Sequence, residues 1–451
     1  MKVAWVLPMA TLWMAMPPLT WAADPAAERA PVDLSLKRAV EVAISAQGNT
    51  NIQLSGEALK QAQSRALQAR AALLPDLEGA FNDRDQTVNL AAEGLTSIHL
   101  PFAGFTFPSL VGPFSTVDAR LSVQQSVFDF ASIRRFQASK VGVSAATQEL
   151  DSTAEKVAAD VGRAYLAAVR ADADVDTANA NVTLSDAVLT QAENQKKAGT
   201  GTGIEVTRAK VQLANDRQHL LVAENARRSA HLELLRAMGT PLSTEVRLTD
   251  KLGYVPVDAV TLEQAKAQAL QARPDLKAQQ QREENARLSA SAVRMERMPS
   301  LAAFGDYGSS GISLDNNMPT RTYGISLKVP IFDGGRRDAR RGEAASLYRS
   351  EQVRTGDLKQ QIELDVRLAL DGLRSAEDQV KVAKEGLELA SSELTQARRR
   401  YDAGVTNSLE VTDAQTRLER ARDNETQALY NYNVARIDLA QAMGNMRRSI
   451  P

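Results

Sequence analysis

The sequence predicts a mainly α-helical protein with a small β part, built as an internal duplication of long antiparallel helical hairpins. Three observations support this fold class. Apolar residues recur at three- and four-residue spacing over two long stretches, each stretch turns back at a glycine-containing segment, and two short regions alternate apolar and polar residues. The first spacing is typical of paired helices, and the alternation is typical of strands.

The clearest hairpin covers residues 366–442, with its turn at 402–408. The seam residues before the turn are Val366, Ala369, Leu373, Ala376, Val380, Ala383, Leu387, Ala390, Leu394 and Ala397; those after it are Val411, Ala414, Leu418, Ala421, Ala428, Tyr432, Ala435, Leu439 and Ala442. Alanine at about half of these positions lets the two helix axes approach closely. We therefore expect a long, tightly packed antiparallel helix pair.

The same hairpin occurs earlier in the chain. A first seam begins at Val161, the turn is at Gly199, and a return seam runs from Val206 to Ala237. The two copies lie about 205 positions apart, and both end in Ala-Met-Gly, at 237–239 and 442–444. The chain is therefore predicted to contain two structural repeats, at 23–242 and 243–451.

Each repeat is predicted to have the same element order. The first has a helix, a β-hairpin at about 77–128, a long helix at about 132–198 and a return helix at about 204–239. The second has a helix at about 261–298, a β-hairpin at about 301–331, a long helix at about 336–402 and a return helix at about 408–443.

Composition excludes several function classes. The chain has no cysteine, and its 54 Lys and Arg residues are balanced by 55 Asp and Glu. The first fact excludes disulfides and thiolate chemistry, and the second argues against nucleic acid as a partner. The three histidines are scattered, and no nucleophile–base arrangement occurs. We expect no enzyme activity, no metal and no cofactor.

The first 22 residues have the pattern of a secretory signal peptide. Lys2 supplies the charge, residues 3–16 are apolar, and Thr20-Trp21-Ala22 fits a cleavage site. A membrane anchor is the alternative, but this apolar run is short and interrupted by prolines. The mature protein is expected to be exported, either to remain soluble in the periplasm or to enter a membrane as a β-barrel.

The alternating segments predict strands with one apolar and one polar face. Residues 117–124 show the alternation most clearly, and residues 301–307 and 323–329 repeat it. One chain supplies four such strands, too few to close a barrel. Either helices cover a small sheet, or several chains pool their strands. The long, unsupported helices favour an oligomer.

Together these features resemble the TolC family of outer-membrane efflux proteins, the outer membrane factors of tripartite export pumps. The resemblance rests on the duplicated element order and on the motifs at 330–335, 401–404 and 409–414. It implies a homotrimer with a shared 12-stranded transmembrane β-barrel in outer-membrane lipid and a coiled-coil α-barrel in the periplasm. It also implies two partners, a periplasmic adaptor (membrane fusion) protein and an inner-membrane transporter.

The function implied by this resemblance is an exit duct of a tripartite efflux or type I secretion system. The alternative is a periplasmic coiled-coil adaptor or scaffold without a pore. Adaptors usually carry one hairpin flanked by β segments, whereas this chain carries two hairpins with a different strand placement.

The resemblance places a periplasmic gate at Glu410, Asp413 and Tyr401. The two acids lie one helical turn apart, on one face of the return helix. Threefold repetition would crowd six carboxylates around one axis, which favours cations. The alternative is that these acids interact favourably with the positive end of the helix, as we expect for Glu205 in the first repeat.

Two further sets of residues are expected to be functional. By resemblance, the adaptor contacts at the hairpin turns are Gly199, Gly203, Glu205, Gly404 and Asn407, and the barrel–helix junction contains Phe128, Asp129, Pro330, Phe332, Asp333, Gly334 and Gly335. The turn glycines are expected to have positive φ. The two aspartates are expected to cap helices, and the two phenylalanines either face the membrane interface or pack in a core.

Overall fold

The computed structural model describes residues 32–94, 107–257, 260–403, 405–406 and 408–449. The expected signal peptide at 1–22 lies outside the described residues, as do 95–106 in the first β-hairpin, Gly404 and Asn407. No helix within the described ranges is both long enough and apolar enough to cross a membrane.

The chain is mainly helical, with six strands among the described residues. The helices are α1 (Leu36–Ile44), α2 (Thr50–Ala71), α3 (Phe130–Lys197), α4 (Gly203–Met238), α5 (Leu262–Ala272), α6 (Pro274–Met295), α7 (Arg336–Asp402), α8 (Ser408–Ala442) and α9 (Met446–Ser449). The strands are β1 (Val32–Leu34), β2 (Asp76–Val88), β3 (Val111–Phe128), β4 (Val246–Leu248), β5 (Ser300–Gly311) and β6 (Asn317–Lys328).

Two long helical hairpins, α3–α4 and α7–α8, form most of the molecule. Helix α3 has 68 residues and α7 has 67, so each is about 100 Å long at 1.5 Å per residue. The seam residues lie between the arms: Val380, Leu394 and Ala397 on α7 are buried, as are Val411 and Leu418 on α8. The heptad pattern therefore identified the contact face of each hairpin.

The largest apolar core lies around the middle of α3. There Tyr165 and Val161 are fully buried and pack with Ala39 of α1, Leu234 of α4 and Ile437 of α8. The Tyr165 hydroxyl donates to the backbone oxygen of Leu34 at 2.9 Å. This core joins the start of the chain to the return helices of both hairpins.

The four strands predicted by alternation form one antiparallel sheet in the order β2-β3-β5-β6. The apolar positions of its three alternating segments share a face, because Leu121 pairs with Tyr307 and Gly305 pairs with Tyr323. Tyr307 is 65% exposed and Tyr323 is 80% exposed. Of the two outcomes left open by the sequence, cover by helices is not seen, because no described helix lies over this sheet. The outer edges of β2 and β6 have no strand paired to them within the described chain.

A second, smaller sheet was missed by the sequence analysis. The sequence analysis assigns no helix or strand to residues 240–257, but β4 within this segment pairs in parallel with β1. Arg247 also holds Asp33 through two hydrogen bonds of 2.7 and 2.9 Å. Strands of three residues carry too little alternation to be recognised, and the pairing joins segments more than 200 residues apart.

Candidate functional site

The tip of the first hairpin is a tight turn between α3 and α4. Gly199 has φ of +77°, the left-handed conformation expected there. The backbone N–H of Thr202 donates to the Glu205 carboxylate at 2.8 Å, so Glu205 stabilises the start of α4, whose first residue is Gly203. The capping role expected for Glu205 is therefore seen in the geometry.

The two acids near the second tip have different surroundings. Glu410 pairs with Arg400 across the turn at 3.0 Å and accepts a hydrogen bond from the Thr406 hydroxyl. Asp413 is exposed and makes no ion pair with any described residue. Glu410 is thus partly neutralised within the chain, whereas Asp413 presents its negative charge to solvent.

Tyr401 ties the second tip to the first hairpin. Its side chain is buried, and its hydroxyl donates to the side-chain oxygen of Gln195 on α3. Gln191 of α3 also donates to Asp402 at 2.7 Å. Burial, and secondly the nearby Glu205 carboxylate, raise the pKa of Tyr401, so its hydroxyl stays protonated. Sequence analysis named Tyr401 but missed both glutamines, because polar residues on a helix surface carry no periodic signal.

A buried polar network lies between the hairpins, further from the tips. Ser185 of α3 donates to the Asp216 carboxylate on α4, which also accepts from Gln212 at 3.0 Å. Gln415 of α8 donates to Ser185 at 3.1 Å. Asp216 is only 3% exposed. This network was also missed, because the sequence does not show which helix lies opposite Asp216.

At the first sheet–helix junction, Phe128 ends β3 and Asp129 caps α3. The Asp129 carboxylate accepts the N–H of Ala131 at 2.9 Å and the Ser132 hydroxyl at 2.6 Å. Phe128 is 43% exposed and packs edge-on against Phe130 with ring centroids 4.2 Å apart.

The second junction differs from the expectation in the residue that caps the helix. Gly335, at φ of +85°, is the residue that caps α7, and Asp333 instead accepts the backbone N–H of Arg337 at 3.1 Å. Two consecutive glycines with positive φ, Gly334 and Gly335, separate Asp333 from Arg336, the first residue of α7, where the sequence analysis places the start of this helix. Phe332, which follows Pro330 in this loop, is 87% exposed and does not pack in the core of its own chain.

Comparison with known proteins identifies the family. A sequence profile described as outer membrane efflux protein matches residues 44–240 and 266–445. The chain belongs to the outer membrane efflux protein family. Each matched segment lies within one of the two predicted repeats.

Relatives and a solved structure cover most of the chain. The pyoverdine export outer membrane protein OpmQ of Pseudomonas putida is 23% identical over 98% of this chain and 91% of its own length. The alkaline protease secretion protein AprF of Pseudomonas aeruginosa is 23% identical over 70% of this chain and 67% of its own length. The Campylobacter jejuni CmeC outer membrane channel superposes with a TM-score of 0.78 at 16% identity, covering 91% of this chain and 85% of that one.

Family membership decides between the two functions considered above. The chain is an outer-membrane channel for export, with its helical part in the periplasm, and the alternative of an adaptor without a pore is wrong. The family is one of transport proteins.

Proposed function

We propose that three copies of this chain form one duct, in which β2 of each copy pairs with β6 of the next. The supporting observation is the four-stranded sheet, in which the outer edges of β2 and β6 have no strand paired to them in the described chain. All neighbouring strands are antiparallel, so β2 and β6 run in opposite directions and adjacent copies continue the same pattern. Twelve strands would close the sheet and leave no open edge.

The two faces of the sheet suit a barrel wall. The exposed apolar face includes Phe81, Tyr323 and Ile325, which suits contact with lipid. The other face carries Arg120, which bonds to Asp118 at 2.9 Å and also to Asp306. We assign this polar face to the water-filled interior.

The periplasmic tips are proposed to form both the gate and the contact with the adaptor protein. Asp413, Glu410 and Tyr401 supply the gate, and the turns at Gly199 and Gly404 supply adaptor contacts. Three exposed Asp413 side chains around one axis favour passage of cations. The ties from α3 to Tyr401 and Asp402 support a closed resting arrangement of the tips.

The duct is proposed to serve a tripartite efflux or type I secretion system through its adaptor and inner-membrane transporter. One relative is named for pyoverdine export and another for alkaline protease secretion. Because one fold carries both names, we assign choice of cargo to the inner-membrane transporter.

Reconstitution tests the proposed duct. Purified protein should run as a heat-labile trimer and should produce discrete conductance steps in planar lipid bilayers. A monomer in non-denaturing detergent that produces no conductance would contradict the trimeric duct. Co-purification with its adaptor should fall when the turns at 199–203 and 404–407 are replaced, while the conductance steps persist.

A further inference from the structure

A strongly basic region surrounds the sheet-side ends of four helices. We call it the junction belt and define it as residues 65–75, 129–140, 291–299 and 329–343. It contains eleven Lys and Arg side chains against five Asp and Glu, a net charge of +6, whereas the whole chain has a net charge of −1. Such segregation of charge indicates a surface with an anionic partner.

The four segments converge because of the strand order. Strands β2 and β5 begin, and strands β3 and β6 end, on the same side of the sheet, where the strands meet the helices. Each segment belongs to the helix next to that side, so all eleven cations lie within about 15 Å of a helix end. Glu296 of α6 confirms the proximity, because it pairs with Arg135 of α3 at 2.6 Å and with Arg340 of α7 at 2.7 Å.

Three of the five acids of the belt pair with four of its eleven cations, and a fourth caps a helix. Besides Glu296, Asp333 pairs with Arg337 at 3.5 Å, Asp338 pairs with Arg297, and Asp129 caps α3. Six exposed cations make no ion pair in the described part of the chain: Arg65, Arg70, Lys140, Arg294, Arg336 and Arg341. Glu343 is the one belt acid that is neither paired nor a cap, so most of the excess positive charge has no ion-pair partner within the described part of the chain.

An apolar band lies between these cations and the apolar face of the sheet. Ile331 is 93% exposed and Phe332 87%, and Val127 and Val329 are each more than half exposed. Moving from the sheet into the helices, the surface is first apolar and aromatic and then basic. This order matches a membrane boundary, where aromatic and aliphatic groups meet the acyl chains and Arg side chains reach the headgroups.

We propose that the junction belt binds the phosphates of anionic phospholipids in the periplasmic leaflet of the outer membrane. The inference rests on the proposed insertion of the sheet, and it adds a lipid class and the residues that select it. Guanidinium groups match phosphate oxygens in geometry, and clustered basic side chains beside a membrane favour anionic headgroups. The belt would thereby set the depth of the protein in the membrane.

Lipid retention by the purified protein tests the belt. The variant R70Q/R294Q/R336Q/R341Q is compared with the control R228Q/R236Q/R374Q/R420Q, which removes four other exposed arginines that lack an ion pair in the described chain. Native mass spectrometry measures bound phosphatidylglycerol and phosphatidylcholine. We expect wild type and control to retain phosphatidylglycerol preferentially, and the belt variant to lose about tenfold or more of that preference.

The lipid preferences of the belt variant, the control and wild type distinguish the possible outcomes. Equal preference for phosphatidylglycerol in the belt variant and the control would overturn the proposal, as would displacement of the lipid by millimolar inorganic phosphate. If the belt variant fails to assemble, the double variant R336Q/R341Q should show a smaller loss of preference. Wild-type protein that conducts ions but shows no lipid preference refutes the belt alone, whereas wild type without conductance refutes the proposed duct.

Discussion

Glu419 lies on α8 where that helix meets the first hairpin. Burial, and then the nearby carboxylates of Asp216 and Asp423, raise its pKa to about 7, while Arg422 acts in the opposite direction. In the same region burial raises the pKa of Asp423 against the opposing effect of His219 on α4 and Arg170 on α3. Burial also raises the pKa of Asp174 on α3, where Arg170 lowers it and Asp423 adds to the rise. The contact between the two hairpins thus contains a carboxyl group that the fold favours in its neutral form.

This environment predicts a pH-dependent stability. The pKa of Glu419 is higher in the folded protein than in the unfolded chain, so its ionisation costs stability as pH rises from about 4.5 to about 7. Because the side chain is partly exposed to solvent, we discount the full shift and expect about 1–2 kcal/mol. Glu419→Gln should remove this loss, so that the variant is more stable than wild type at pH 8.

Urea unfolding at pH 5 and pH 8 measures this effect. The exposed Glu388→Gln serves as the control and should keep the wild-type difference between the two pH values. A Glu419→Gln variant with an unchanged pH dependence would show that ionisation of this residue does not strain the contact between the hairpins.

The exposed carboxylate of Asp413 leads to a second prediction at the scale of single residues, which concerns the ion preference of the channel. In the proposed trimer, Asp413→Ala removes three unpaired carboxylates from the gate, so we expect cation preference to fall. The reversal potential in a potassium chloride gradient measures the change. Asp371→Ala removes the same charge from α7 at about 45 Å from the tip end of that helix, at 1.5 Å per residue, and should shift the potential less. Equal shifts would argue against a gate at Asp413.

At the scale of elements, the helical hairpins depend on a narrow seam. Leu394 of α7 is 6% exposed and belongs to one buried cluster with Ala390 and Ala397 of the same helix and with Val411 of α8. An alanine-rich seam has few large side chains, so each contributes much of the local apolar contact. The period of 3.5 predicted this packing because it depends on local spacing alone.

Truncating one seam residue should therefore cost substantial stability. We expect Leu394→Ala to reduce the free energy of unfolding by about 2–4 kcal/mol. Leu389→Ala removes the same atoms from a residue that is 66% exposed, and should change it by about 0.5 kcal/mol or less. Chemical denaturation in detergent compares the two. If both variants lose the same free energy of unfolding, contacts between chains stabilise the hairpin more than the seam does.

At the scale of the whole molecule, the main sheet is incomplete in one chain. Strands β2 and β6 are separated by two strands, which places them about 14 Å apart at typical strand spacing. A disulfide between them within one chain is therefore excluded by distance. Since the natural sequence has no cysteine, introduced pairs report only on contacts between copies.

A cysteine pair tests whether the edges meet. The double variant Leu77→Cys and Leu327→Cys places one thiol near the same end of each edge strand. Mild oxidation in membranes should produce covalently linked dimers and trimers, while each single variant should stay monomeric in denaturing gels. Gly79 and Ile325 provide alternative positions if the register between copies is shifted. Absence of cross-links from all four pairings would contradict the shared barrel.

The helices, the duplication and the two-faced strands were all readable from the order of residues, because each depends on spacings of a few positions along the chain. The turn at Gly199 and the cap at Asp129 were predictable for the same reason. Contacts between distant segments were not: the β1–β4 pairing, the link from Tyr401 to Gln195 and the network around Asp216 each join different helices or strands. Their partners become neighbours only after the hairpins pack side by side, and periodicity along one helix carries no information about the helix that lies opposite.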